Sequence, residues 1–502
     1  MKIRFLLKLY VFMIFSASVL IGQVSKMQAD SIAADTTDMG SLPSVEFTKL
    51  MIPGWNTGNS LEATPTETSW GNPAISQQLI DSIKTAGFKS VRIPIAWSSH
   101  FSNAAAFTID PAFLIRVENV VDYVIQAGMT AIINIHYDGG WMMPTYAQQS
   151  YVNNRLTVMW KQIAIHFRDY DNQLIFAGTN EVKYDYNPPT AEYFTVQNSF
   201  NQTFVSAVRS TGGRNVYRYL AVQGYNTNID YTYNYFSIPQ DVVQNRMLVE
   251  VHYYDPYDFT INEGNTNITQ WGNIATDPRK TEVWANESYA DGQFLKMKSK
   301  FIDKGYGVIL GEYGAMARLN LGSDALNAEH AGYRRYYIGY VTGSMVRAGI
   351  VPYYWDNGGT GNNGLGIFYR ATGAKAYPLI VKAIIDAART NSGGTGVETR
   401  QTNSVPPTFD VSQNFPNPFN PTTVINYQLP GIGTRYTVSM YVYDLLGRQV
   451  ATLAEGVKNA GQYSATFDGS KLPSGVYVVR CRAVREDNGA SLIKTIKMIM
   501  TK

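Results

Sequence analysis

From about residue 48, one phrase of hydrophobic and polar positions returns eight times. A short apolar run closes on a polar or aromatic residue, and a stretch with helical spacing follows. The runs are MIPGWN (51–56), SVRIPIAW (90–97), TAIINIHY (130–137), LIFAGTNE (174–181), YLAVQGY (219–225), RMLVEVHYY (246–254), GVILGEYG (307–314) and VPYYWDNG (351–358). Their spacing of roughly 40 residues suits a strand, a helix and two loops. Between them, ISQQLIDSIKTAGF sets Ile75, Leu79 and Ile83 at four-residue steps, and VENVVDYVIQAGM behaves similarly. Gly87, Gly128, Gly213, Gly305 and Gly349 each stand ahead of the next strand, where a left-handed residue commonly ends a helix. Eight such units predict an α/β fold, a parallel (β/α)8 TIM barrel. An open doubly wound sheet is the competing architecture, but no glycine-rich phosphate loop follows the first strand.

Around residue 391 the texture changes. NSGGTGVETRQTNSVPPTFD reads as a Gly/Ser/Thr/Pro linker over 391–410. Beyond it TVINYQL, TVSMYVYD, GQYSATFD, GVYVVRCRA and IKTIKMIM alternate apolar and polar positions between turns such as LLGRQ and LPSG. Short alternating strands predict a small all-β, immunoglobulin-like sandwich over 411–502. At the other end, Lys2, Arg4 and Lys8 precede an apolar stretch of signal-peptide length. Residues 1–29 are expected to be a secretory leader cleaved between about Gly22 and Ala29, with a membrane anchor as the alternative. No cysteine follows it to carry a lipid anchor.

Composition narrows the field. The chain has 502 residues, 45% hydrophobic and 16% charged, so a large core is available. A net charge of +3 without a basic, aromatic-interleaved block argues against nucleic acid. The single Cys481 rules out an internal disulfide, and the five histidines show neither HxH nor HExxH spacing. No metal and no organic cofactor are expected. Tyr (35) and Trp (8) are plentiful, and such rings suit wet binding surfaces as well as cores.

In a barrel of this kind, reactive side chains stand at the C-terminal ends of strands. Those ends carry Trp55, Arg92, Trp97, His136, Tyr137, Asn180, Glu181, His252, Tyr254, Glu312 and Trp355. Glu181 closes an apolar run because a buried wall strand ends there at a cleft, and Glu312 closes another. Two carboxylates on rigid strands across one cleft are the equipment for glycoside hydrolysis, one as proton donor and one ionised. Arg92 and the Tyr254 hydroxyl are placed to hold one of them ionised, and Asn180 to bind a sugar hydroxyl. Taken singly, a strand-end Glu is more often a structural acceptor, and Arg92 an ordinary buried ion-pair partner. Glu250 lies deeper and reads as a satisfied interior group; His100, His166 and His330 lie off the strand ends. Trp70 and Trp141, in loops, add candidate sugar-stacking rings, and Trp160, inside a helix, reads as core. The long polar loop from Tyr254 to about Trp284, with Trp271 and Trp284 in it, is expected to wall an open cleft for a polymer, with a decorated surface loop as the alternative.

GWNTGNSLEA, SWGNP, AGFKSVRIPIAW, INIHYDGGW, GTNEV, VEVHYYDP, VILGEYG and YYWDNG resemble glycoside hydrolase family 5 over about residues 45 to 390, most closely its subfamily 4 of endo-β-1,4-glucanases. The resemblance implies a catalytic domain over 42–390 in which Glu181 is the general acid/base and Glu312 the nucleophile. Arg92 and Tyr254 would position Glu312, His136 and Asn180 would bind hydroxyls, His252 would sit near the acid/base, and Trp355 would lie under the reacting sugar. Tyr137, Trp55, Trp97 and Trp141 complete the expected substrate contacts. Two departures are Tyr137, where relatives often have a second histidine, and Val182, where a proline often follows the acid/base.

NFPNPFNPTTVINYQLP, VYDLLGRQVATL and SGVYVVRCRA resemble the type A sorting domain of the type IX secretion system. This implies export in a Bacteroidota-like bacterium, ending in release or surface attachment. A plain accessory sandwich is the alternative, and the absence of Trp there argues against a carbohydrate-binding module. The expected protein is a secreted, monomeric, endo-acting retaining β-1,4-glucanase, on cellulose-like chains, xyloglucan or mixed-linkage glucan. Its alternatives are the same chemistry on mannan or xylan, and a non-catalytic glycan-binding surface protein.

Overall fold

The structure is a computed structural model and describes residues 31–391, 408–431 and 434–501. The expected leader (1–29) and most of the expected linker lie outside the described residues. Two compact units are divided between Arg389 and Thr390.

In the first unit, eight parallel strands close into a barrel in chain order. They are β1 (Gly54–Asn56), β2 (Ser90–Ile93), β3 (Thr130–Asn134), β4 (Leu174–Ala177), β5 (Leu220–Gln223), β6 (Met247–Tyr253), β7 (Gly307–Tyr313) and β8 (Ile350–Tyr354). The ring closes where Tyr353 and Tyr354 of β8 pair with Gly54 and Trp55 of β1. The outer helices are α1 (Gln77–Ala86), α2 (Pro111–Gln126), α3 (Tyr146–His166), α4 (Ala191–Ser210), α5 (Ile229–Tyr235), α6 (Glu287–Lys300), α7 (Asp324–Arg347) and α8 (Pro378–Asn391).

Local signals set these boundaries. The Ser76 hydroxyl accepts from the Leu79 N–H at the start of α1, and Gly87 ends that helix at φ 114°, a left-handed value that disfavours side chains. Leu79, Ile80 and Ile83 lie on its buried face, as their spacing predicts. The lower lumen is filled by Ile132, Ile175, Ala221, Leu248, Ile309 and Val351, with Phe47 and Met51 from the segment before β1 packed into the same cluster. Phe47 stacks on Tyr219 at 4.2 Å. Toward the strands' C-terminal ends the lumen turns polar, with Asn56, Arg92, Gln223 and Glu250 all buried.

Burial corrects three expectations, the first through strand parity. Asn56 faces the lumen, so its neighbour Trp55 points outward into the layer between sheet and helices. Trp55 is wholly buried there, edge-on to Phe368, with its indole N–H donating to Asp356 Oδ2 at 3.2 Å. Trp97 is equally buried, packing edge-on against Phe113 of α2 and donating to the Asn134 carbonyl at 2.9 Å. Neither ring is available to a sugar. Trp271 is also buried, among Tyr336, Tyr337 and Tyr340 of α7, so it is no cleft wall. Trp160 is core, as expected.

The second unit is all-β. One sheet orders β9 (Asp410–Val411), β10 (Thr422–Leu429) and β13 (Gly461–Asp468), and the other orders β12 (Gln449–Asn459), β11 (Arg435–Tyr443), β14 (Gly475–Arg485) and β15 (Ser491–Met500). Pairing within both is antiparallel. Buried positions alternate along β10, β11 and β13 and supply one core with Val438, Met440, Tyr463, Val479 and the free Cys481.

The burial of Trp97 gives a direct test. Trp97→Ala should cost about 3–5 kcal/mol of stability, the range for emptying a buried aromatic site. The measurement is the urea midpoint of the full chain; an unmoved midpoint would mean that the ring is not core.

Candidate functional site

Glu312 belongs to β7 and is buried, with side chains from three other strands or their ends converging on it. Arg92 of β2 donates to Glu312 Oε1 at 3.1 Å, and the Tyr254 hydroxyl donates to Oε2 at 3.2 Å. His136 Nε2 lies 4.0 Å from Oε1. One donor on each oxygen favours the carboxylate form. Burial nevertheless leaves Glu312 raised above the ordinary carboxylate range, against the charges of His252 and Arg92. Tyr254, pushed well up by burial and then by the Glu312 charge, stays a neutral donor.

Glu181 lies four residues beyond the end of β4. Its backbone is left-handed, φ 45°, a strained value for a residue with a side chain. Glu181 Oε1 is 2.9 Å from His252 Nδ1, and Oε2 is 3.5 Å from Lys183 Nζ. The other imidazole nitrogen, Nε2, is 3.4 Å from Glu250 Oε1. With a carboxylate oxygen at each nitrogen, the ring is held as an imidazolium donating both ways. Burial lowers His252, but the Glu312 charge and the hydrogen bonds to Glu181 and Glu250 push it up to about 9. Burial raises Glu181, but the hydrogen bond and charge of His252, with Lys183, hold it down at about 2.

Arg92 is the hub beneath this group. Wholly buried, it also donates to Asn180 Oδ1 (2.6 Å) and Asn56 Oδ1 (3.1 Å) and ion-pairs with Glu250 (2.9 Å). Glu250 in turn accepts from the Gln223 amide at 2.7 Å, so it is the satisfied interior group its position implies.

His136 extends the site sideways. The Asn134 side-chain oxygen accepts from the Ile95 N–H, which turns the Asn134 amide nitrogen toward His136 Nδ1 at 3.2 Å. Nδ1 is therefore the acceptor, and Nε2 carries the hydrogen that faces Glu312. Burial, then the nearby Arg92 charge, keeps this imidazole neutral. Its ring stacks on Trp355, 5.6 Å and 7° apart. Trp355 is backed by Gly58, where a Cβ would come within 2.9 Å of the indole, so only glycine fits.

Other expected contacts sort by exposure. Trp141 is half-buried under the Arg155 guanidinium (4.2 Å), with its N–H on Asp138 at 3.0 Å. Tyr137 is exposed and Trp70 is half-exposed. His100, His166 and His330 are away from the trio, in a short 3-10 turn, at the end of α3 and in α7. Sequence reasoning missed Lys183, whose cation touches Glu181, and Asp138, which ties Trp141 to Ser98 through the Ser98 N–H at 2.7 Å. The Asp-x-x-Trp spacing in YDGGW was a signal for the latter.

One donor atom each of Glu181, His252 and Glu312 lies within 4.8 Å of the others, close enough to ligate an ion. Arg92 and the imidazolium already supply positive charge to this gap, which opposes a further cation. The same spacing brings one carboxylate oxygen of Glu181 and one of Glu312 within 4.8 Å of each other.

Residues 55–361 match the model of cellulase, glycosyl hydrolase family 5. Residues 413–496 match the secretion system C-terminal sorting domain. Endoglucanase A of Paenibacillus barcinonensis is 40% identical over 376 residues, covering 71% of this chain and 92% of that protein. A solved Bacteroides ovatus GH5 xyloglucanase in complex with a XXXG heptasaccharide is 41% identical, with TM-score 0.69, over 72% of this chain and 79% of that one. A GH5-4 broad specificity endoglucanase from Bacteroides salanitronis is 40% identical, with TM-score 0.65, over 70% and 97%. With more than half its length matched, and with relatives this similar, the chain belongs to glycosyl hydrolase family 5.

Proposed function

We propose that the protein is an endo-acting β-1,4-glucanase that cleaves with retention of configuration, Glu312 acting as nucleophile and Glu181 as acid/base. The observation that carries this is the close approach of the two carboxylates, with an oxygen of each within 4.8 Å. Retaining enzymes hold the pair about 5–5.5 Å apart, whereas inversion needs about 6.5–9.5 Å to seat a water.

In the first step Glu312 attacks the anomeric carbon while Glu181 gives a proton to the leaving oxygen, and a glycosyl ester forms on Glu312. In the second, Glu181 takes a proton from water, which displaces the ester. The donor's proton is available at rest on His252 Nδ1, one 2.9 Å hydrogen bond from Glu181. A sugar filling the gap excludes water from both glutamates, favours the neutral acid, and draws that proton onto Glu181. The hydrogen bonds from Arg92 and Tyr254, one to each oxygen, oppose the effect of burial and favour the ionised Glu312 that attack needs. Trp355 and His136 hold the sugar whose bond is cleaved, and Asn180 binds a hydroxyl beside the reacting carbon. The solved relatives are a xyloglucanase and a broad specificity endoglucanase, so branched β-1,4-glucan is the first substrate to test.

The sorting domain carries export through the type IX system, so the protein is secreted or surface-attached. The leader at residues 1–29, a bacterial source and a monomeric state complete the proposal.

Reducing-end release from soluble cellulose derivative, mixed-linkage glucan, xyloglucan, glucomannan, mannan and xylan, with Glu312→Ala as the blank, tests this reading. Turnover of glucans that vanishes in the blank is expected. Mannan or xylan turnover alone would move the substrate, and silence throughout would favour a glycan-binding protein. Glu181→Ala should lower kcat on polysaccharide by about 10²–10⁴-fold. Proton NMR of the first products should show the β-anomer, and an initial α-anomer would overturn retention.

The His252 shift predicts a pH effect on stability. Its folded value of about 9 exceeds its ordinary 6.5, so the charged ring stabilises the folded chain fully below about pH 6.5. That contribution is lost as pH rises through about 9. His252→Gln should therefore flatten the fall in urea midpoint across that window; an unchanged slope would mean that the ring is neutral at rest.

A further inference from the structure

The segment that follows Glu181 exposes more aromatic surface than its packing needs. Tyr184 is 50% exposed and Tyr186 is 81% exposed. One face of Tyr184 stacks on Tyr193 of α4 at 4.9 Å and 18°, and Tyr193 stacks in turn on Tyr225 at 6.2 Å and 9°. The Tyr225 hydroxyl accepts from the Tyr184 N–H (2.9 Å) and donates to the Asp185 carbonyl (3.1 Å). Ring and backbone of Tyr184 are thus held from behind, and its other face is open.

Tyr186 is fixed differently. Lys183 Nζ sits 4.9 Å from the centre of its ring, and the same ammonium lies 3.5 Å from Glu181 Oε2 and 3.3 Å from the Glu181 carbonyl. The turn around it is closed by Asp185, which accepts from the Asn187 N–H at 2.9 Å and from its side-chain amide at 3.0 Å. One cation therefore links the carboxylate of Glu181 to an almost fully exposed ring.

Position gives these rings a use. A proton donor must stand beside the oxygen that departs, so the residues around it flank the departing half of the sugar chain, while Trp355 and His136 serve the half that is attacked. Tyrosine combines a flat apolar face with a hydroxyl, which suits a pyranose in a wet groove, and a pre-stacked ring loses little freedom on binding.

We propose that Tyr184 and Tyr186, held by Tyr193 and Lys183, form a sugar platform for the departing end of the substrate, taking β-linked glucosyl units on their open faces. This rests on Glu181 being the proton donor. The platform explains why a loop next to the chemistry keeps two large rings in solvent, each fixed on one side only. It also serves the reverse direction: a sugar seated there presents a hydroxyl to the glycosyl ester in place of water. Glu181 then takes the hydroxyl proton as the new bond to the anomeric carbon forms and the ester bond to Glu312 breaks.

The test compares kcat/KM of the full chain on xyloglucan with that on nitrophenyl β-cellotrioside, whose departing group holds no sugar. In Tyr184→Ala and Tyr186→Ala the ratio of the two should fall by about threefold to tenfold for each ring, the size of one aromatic stacking contact. Transfer of glycosyl groups to added cellobiose should fall with it. An unchanged ratio in both variants would overturn the platform. Tyr186 touches so little that its variant will stay folded, so it decides the matter even where Tyr184→Ala loses stability. A wild-type chain silent on both substrates would overturn the β-glucanase reading itself, and a wild type active on both with an unmoved ratio would overturn the platform alone.

Discussion

A guanidinium sealed inside a barrel is the constraint around which this site is built. Arg92 is wholly buried, and a buried cation without partners costs far more than a domain's net stability. Its partners come from four places along the chain: Asn56 on β1, Asn180 beyond β4, Glu250 on β6 and Glu312 on β7, while Arg92 itself is on β2. Solvating the cation therefore fixes the relative heights of those strands at their upper ends. Glu312, the proposed nucleophile, inherits its position from a requirement of folding.

The charges above Arg92 follow the same logic. Glu250 cannot be reached by water and serves two cations at once, the guanidinium below and the imidazolium beside it. Holding His252 charged loads a proton next to Glu181, and Lys183 helps keep that glutamate ionised. On the proposed mechanism, this stored proton reconciles a glutamate whose ordinary state is ionised with the duty of an acid. Removing any one of these five groups would unbalance the rest, as expected for a connected network.

Much of the barrel was readable because its strands are buried on both faces and so appear as continuous apolar runs, each ending where the wall ends. All eight runs became strands, and Glu181, Glu312, Arg92, His252 and Tyr254 were brought together. The rule failed where strand ends were read without their parity. Trp55 adjoins the lumen residue Asn56 and points the other way, and Trp97 lies past the end of β2, where its indole is drawn into the helix layer. The edge strand β12 did not stand out because its buried positions do not alternate cleanly along its length. Lys183 and Asp138 were invisible for another reason. Their partners lie across loop turns whose geometry no periodicity encodes.

The left-handed backbone at Glu181 carries a consequence for how such a chain can change over time. At φ 45° glycine or asparagine would sit with less strain than glutamate, so a position open to improvement for folding is the one that the proposed chemistry requires. A lineage released from the need to cut glycans, and kept only for durability, would be drawn to lose this residue early. It would leave behind a sturdier barrel with an intact groove, Arg92 still buried at its centre, and no proton to give.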